Sequence, residues 1–247
     1  MARLARLVLA GHAHYVIQRG HSGQPVFVDD ADCQQFLAAL HEAAAAERVQ
    51  LHAYALLDSE VHLLATPETA PALSRMMQAL GRRYVSAYNR RHGRSGTLWD
   101  GRFRCAVVEP GLARLDVLRL IDGLSAEPGT GSASAGSSAS TCPSTSPSTS
   151  PSTSASTSAG TRAGGHVDAR LQNTPEYWQL GNTPFEREAA YRSLLAAGLP
   201  EERKAALRRA ALGGWAAGQA AFATQLETSL QRPARPRSPG RPRRMQR

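Results

Sequence analysis

The sequence predicts an α+β fold in its first half, and three observations carry this. Residues 1–124 interleave short alternating segments with longer segments of helical periodicity. A block of low complexity then interrupts the 247-residue chain. Beyond that block the apolar periodicity is helical only.

Each element has its own signal. Residues 14–20 (HYVIQRG) alternate, are β-rich and stop at a glycine. Asp29 and Asp30 offer N-caps, and Phe36, Leu37 and Leu40 follow at helical spacing toward residue 48. Residues 50–57 and 60–66 read as strands joined by Asp58-Ser59, a hairpin. Leu73, Met76, Met77, Leu80, Tyr84 and Tyr88 mark one face of a helix over residues 70–92, and Gly93 ends it. Residues 103–108 form another strand. A helix over 112–124 shows Leu115, Leu118 and Ile121 on one face. The order β-α-β-β-α-β-α begins with the split βαβ arrangement of ferredoxin-like folds, with a four-stranded antiparallel sheet. Such a fold by itself says little about function.

Residues 125–170 change composition to a repeating Pro-Ser-Thr-Ser unit. With almost no apolar surface to offset the entropy of ordering, this tract is expected to be a disordered linker. Residues 171–231 predict a small helical extension. Thr183-Pro184-Phe185-Glu186 is a capping-box pattern, Pro200-Glu201-Glu202 opens a second helix, and Phe222, Leu226 and Leu230 mark a third. Residues 232–247 form a basic tail of seven arginines among prolines.

The formal net charge of +9 points to a polyanionic partner, with nucleic acid first. A membrane is not expected, because no run approaches ~18 uncharged apolar residues. The N-terminal apolar stretch is too short for a signal peptide, and a cytoplasmic, nucleoid-associated location is expected. Cys33, Cys105 and Cys142 are scattered, so neither a zinc ribbon nor a disulfide framework is implied.

Four constellations could carry chemistry. Glu60 and His62 are two apart on a strand, so both leave the same face and could hold a divalent cation with one further ligand. Taken alone, such a pair is more often surface than ligand. His12-Ala13-His14 sits at the ragged start of the first strand and is read as solvated or packed. Residues 82–94 interleave Arg82, Arg83, Arg90, Arg91 and Arg94 with Tyr84 and Tyr88, and Arg102 and Arg104 follow. The arginines could neutralise phosphates and the tyrosines stack on an unpaired base; otherwise the tyrosines are core and the arginines a solvated face. Pro239-Gly240-Arg241-Pro242 resembles the core of an AT-hook, whose arginine enters a narrow minor groove.

The runs GHAHYVIQRGHSGQPVFVDDADCQQFL, LHAYALLDSEVHLLATP and RMMQALGRRYVSAYNRRHGRSGTLWDGRFR closely resemble the REP-associated tyrosine transposases, bacterial mobile-element proteins of the HUH superfamily. NTPEYWQLGNTPFEREAAYRSLL, GGWAAGQAAF and the final GRPRR resemble the extension some members carry. The resemblance covers nearly everything except about residues 125–170. It implies that residues 1–124 are a DNA-binding domain for single-stranded or hairpin DNA of REP-like palindromes, with Arg19 among the contacts. It also implies a weakly bound magnesium or manganese ion on a His-hydrophobic-His pair, and a tyrosine nucleophile that forms a phosphotyrosine link. Related transposases are often dimers, which extends the expectation to a homodimer.

The match departs where the chemistry sits. Glu60 stands at the first histidine position, beside His62. The nucleophile position falls on Leu120 and the later ligand position on Leu124. Carboxylate oxygen suits magnesium, but leucine is neither nucleophile nor ligand. Asp116 is a substitute ligand of little weight; Tyr84 and Tyr88 are weak substitute nucleophiles. Three readings stay open: a DNA-binding member with impaired or lost cleavage, an active transposase with a non-standard nucleophile, and a regulatory or architectural protein acting through the basic tail.

Overall fold

The computed structural model describes residues 6–124, 156–163 and 168–236. The expected antiparallel sheet forms from β1 (His14–Arg19), β2 (Val49–Leu57), β3 (Glu60–Pro67) and β4 (Arg104–Val108). Across the sheet they run β2-β3-β1-β4, the split βαβ order. Leu57 faces Glu60 across the Asp58-Ser59 turn, so the predicted hairpin is present. Gly20 ends β1 because no side chain fits there: a Cβ would lie 2.3 Å from the Gln24 carbonyl oxygen.

The pleat separates two cores, since successive side chains leave opposite faces. Val16 and Leu63 point toward α1 (Asp30–Ala46) and α2 (Ala72–Arg91), where Phe36, Leu40, Leu73, Met76 and Leu80 are buried. Asp29 caps α1, accepting the Asp32 backbone N–H at 3.0 Å. Tyr15, Ile17, Leu64 and Val108 point to the other face. Here Ala53, Ala55 and Ala106 are small enough for helices to approach closely. The helix α3 (Leu112–Gly123) lies over this face with Val117, Leu118 and Ile121 fully buried.

The helical extension packs against the sheet. After α4 (Ala159–Ala163), α5 (Pro175–Trp178) and α6 (Pro184–Ala197) comes α7 (Glu201–Gly213), whose Leu207 and Ala211 join the core of Tyr15, Ile17 and Leu120. Each large apolar side chain so buried contributes about 2 kcal/mol. Two short strands also widen the sheet to six. β5 (Ser156–Thr157) pairs with β2, and β6 (Ala216–Ala217) pairs with β4 in parallel. The helix α8 (Ala220–Leu230) completes the fold, so all three predicted extension helices are present.

Part of the expected linker is likewise structured. Residues 156–163 carry β5 and α4, and Arg162 is fully buried. Its guanidinium donates to Asp122 at 2.9 Å from Nε and 3.0 Å from Nη2, and to the His52 carbonyl at 2.7 Å. Ser158 Oγ and Tyr191 Oη donate to the same carboxylate, each at 2.6 Å. Asp122 supplies the partner that composition could not reveal. The repeating tract at 125–155, with Cys142, and the tail at 237–247, with Arg241 and its AT-hook pattern, lie outside the described residues. Among the described residues, no helix is long and apolar enough to cross a membrane.

Buried histidines make the fold sensitive to mild acid. His14 accepts the Leu9 backbone N–H on Nε2 at 3.1 Å, and burial pulls its value down to about 4. Burial lowers His41 and His52 as well. Below pH ~6.5 the unfolded chain takes up protons that these folded imidazoles refuse. Stability is therefore complete above ~6.5 and falls as pH drops toward 4, by on the order of 3 kcal/mol for His14. Melting temperatures from pH 7.5 to 4.5 should decline in wild type and decline less in His14→Gln; parallel curves would exclude His14 as a source.

Candidate functional site

The strand register builds the site. Arg19 on β1 faces Glu60 on β3, and His62 faces Ile17, so all lie on the α3 and α7 side of the sheet. His62 is fully buried. Its Nδ1 meets the Tyr15 hydroxyl at 2.9 Å and its Nε2 meets Glu60 Oε2 at 3.2 Å. The tautomer that satisfies both carries hydrogen on Nε2, with Tyr15 donating to Nδ1. Burial draws the His62 imidazole below its ordinary value against the pull of Glu60, so the ring is neutral near pH 7.

Glu60 is saturated by cations. Arg19 Nε lies 2.9 Å from Oε1, and Arg208 Nη2, from α7, donates to Oε2 at 2.8 Å. Burial opposes the carboxylate charge, but the His62 bond and the two guanidinium groups outweigh it and hold Glu60 at about 2. Arg208 was not singled out by the sequence, which placed it in a separate extension.

These residues do not fit a divalent cation. Oε2 accepts from Arg208 and His62, Oε1 is ion-paired with Arg19, and both imidazole nitrogens are engaged. Among the described residues, no trio of His, Cys, Asp or Glu is arranged for a metal. Leu120 is buried in the core and Leu124 is half-buried. Asp116, the substitute ligand, is paired with Arg203 at 2.8 Å. His14 is buried and His12 bonds the Ala10 carbonyl, matching the packed or solvated reading of that pair.

Tyr84 and Tyr88 cannot play the parts suggested for them. Both are buried in the α1–α2 core, on the opposite side of the sheet from Glu60 and His62. Their hydroxyls donate to the Val26 and Pro25 carbonyls at 2.5 and 3.3 Å. Burial also drives the Tyr84 phenol far above its ordinary range. They are neither stacking platforms nor nucleophiles; their helical spacing is that of a core stripe.

The arginines divide into two groups. Arg91 pairs with Asp29 and Asp32, Arg83 with Glu42, and Arg94 donates to Gln24 at 3.1 Å. Arg91 thereby ties the end of α2 to the start of α1, a structural role the sequence did not disclose. Arg82, Arg90, Arg102 and Arg104 are exposed, and their side chains make no ion pair or hydrogen bond among the described residues.

A further basic residue joins Arg102 and Arg104. Arg6 Nε donates to the Phe103 carbonyl at 3.1 Å, and its guanidinium lies 3.9 Å from the centre of the Phe103 ring. Burial, and then the charges of Arg102 and Arg104, lower its value, so the three are electrostatically close. Arg6 and Arg102 line a cleft of about 460 Å³ together with Gln18, Phe36, Trp99 and Phe103, whereas Arg104 faces Ile17 on the other side of the sheet. An apolar cleft with an arginine rim can take a flat aromatic group and hold an attached phosphate.

The class defined by this geometry is a split βαβ sheet with a half-buried carboxylate beside a buried imidazole on one face and an arginine-rimmed cleft elsewhere. Two solved structures are similar to it. One is a REP-associated tyrosine transposase bound to a REP hairpin, with 14% identity, a TM-score of 0.40, and coverage of 49% of this chain and 71% of that one. The other is a provisionally assigned transposase from Deinococcus radiodurans R1, with 21% identity, a TM-score of 0.35, and coverage of 44% and 88%. No family model and no curated protein matches the sequence.

Proposed function

We propose that this chain is a DNA-binding protein of the transposase type that recognises single-stranded or hairpin DNA and has lost strand cleavage. The observation that carries the reading is a mismatch. The framing motifs and basic residues are kept, while the nucleophile position is Leu120, buried in the core. Arg6 and Arg102, which line the cleft, supply a means of holding phosphates next to an unstacked base. Among the described residues, Tyr84 and Tyr88 lie across the sheet from His62, and the one tyrosine that touches it, Tyr15, is fully buried and donates its hydroxyl to Nδ1.

The test is a single-strand assay on a labelled REP-like hairpin with manganese, magnesium or chelator. Binding without nicking is expected, and no covalent protein–DNA species should survive denaturation. Efficient nicking with a trapped adduct would sink the loss of cleavage. Absence of binding to every single-stranded and hairpin substrate would sink the DNA reading itself.

A further inference from the structure

The Glu60–His62 pair has the chemistry of a cation site and a cation already on it. Arg208 reaches Glu60 from α7, which is anchored by buried Leu207 and Ala211. Glu60 is partly shielded, with 18% of its side chain exposed, whereas Arg208 and Arg19 retain 31% and 42%. The carboxylate is thus the buried anchor, and the guanidinium groups form the accessible layer above it.

Charge accounting gives the layer a sign. Glu60 contributes one negative charge, neutral His62 none, and Arg19 and Arg208 one positive charge each. The cluster is net positive and presents N–H donors toward solvent. Guanidinium groups held by a carboxylate are pre-oriented, so less side-chain entropy is lost when they meet a phosphate.

We infer that Arg208 takes the place of a divalent cation at the Glu60–His62 pair, and that with Arg19 it holds a DNA phosphate there without metal. The phosphate part rests on the DNA-binding reading above. It turns an apparent loss of ligands into an exchange of one cation for another. The exchange requires the C-terminal helices, because no residue of β1 to α3 other than Arg19 approaches Glu60 with a positive charge.

The experiment uses the full chain and two readouts, manganese binding by electron paramagnetic resonance and hairpin affinity in chelator or manganese. Wild type should bind no manganese at this pair, and its hairpin affinity should be the same in both conditions. Arg208→Gln should lose about tenfold in chelator. It should also acquire a manganese site and recover affinity with the metal, and adding Glu60→Gln should abolish both gains. Arg208→Lys, which keeps the charge, should stay metal-independent, and thermal melts check that each variant folds. Manganese bound by wild type and lost in Glu60→Gln overturns the inference, as does Arg208→Gln that neither weakens nor gains metal. If no DNA binds in any arm, the DNA reading fails, while the manganese titration still decides whether Arg208 holds the cation's place.

Discussion

Asp122→Ala should destabilise the protein by about 3–5 kcal/mol, the cost of leaving a buried charge without its partner. Asp122 is 2% exposed and Arg162 not exposed at all. Removing the carboxylate leaves the buried guanidinium without a counter-charge and takes from the Tyr191 hydroxyl its acceptor. The carboxylate joins α3 to α4 and α6, so its loss also loosens the attachment of the second half of the chain. Against a total stability of about 5–15 kcal/mol, that is a large share. Arg162→Met alone would instead remove the guanidinium that balances the carboxylate charge. The double variant Asp122→Leu with Arg162→Met should recover a substantial part, because two apolar side chains can fill the space without desolvating charge. Urea unfolding with separate midpoints and slopes measures both. A loss below about 1 kcal/mol for Asp122→Ala would mean that the pair behaves as a solvated one.

The second large effect concerns the cleft. Replacing Arg6 and Arg102 together with glutamine should weaken hairpin binding by about 10-fold and lower the salt slope by about 1.4, as expected for two phosphate contacts on single strands. Arg83→Gln is the matched control. Arg83 is already spent on Glu42, so its removal should leave the slope nearly unchanged. An anisotropy titration at several salt concentrations separates the two. Equal slopes for wild type and the double variant would place the DNA elsewhere on the molecule.

The order of the first seven elements was legible in the sequence because each carries a local signal. Gly20 stops β1 by close contact, Asp29 caps α1, and the Asp58-Ser59 turn sets the hairpin. The same period that marks α2 as a helix also hid the fate of Tyr84 and Tyr88. A stripe at helical spacing is what a core face produces, and only packing against Phe27, Phe36 and Trp99 decides that it is core. Residues 156–163 were illegible for the opposite reason. Their composition resembles the tract before them, and their order comes from a carboxylate contributed by α3.

Glu60 and His62 show the division most clearly. Sequence alone determined that both leave one face of a strand and that leucine, neither nucleophile nor ligand, stands at 120 and 124. Only the tertiary structure decided what Glu60 binds. Arg208 lies 148 residues further along the chain, and no periodicity or spacing links it to Glu60. Folding α7 onto the alanine-lined face of the sheet brings them to 2.8 Å, where burial makes an unpaired carboxylate costly and a guanidinium its partner.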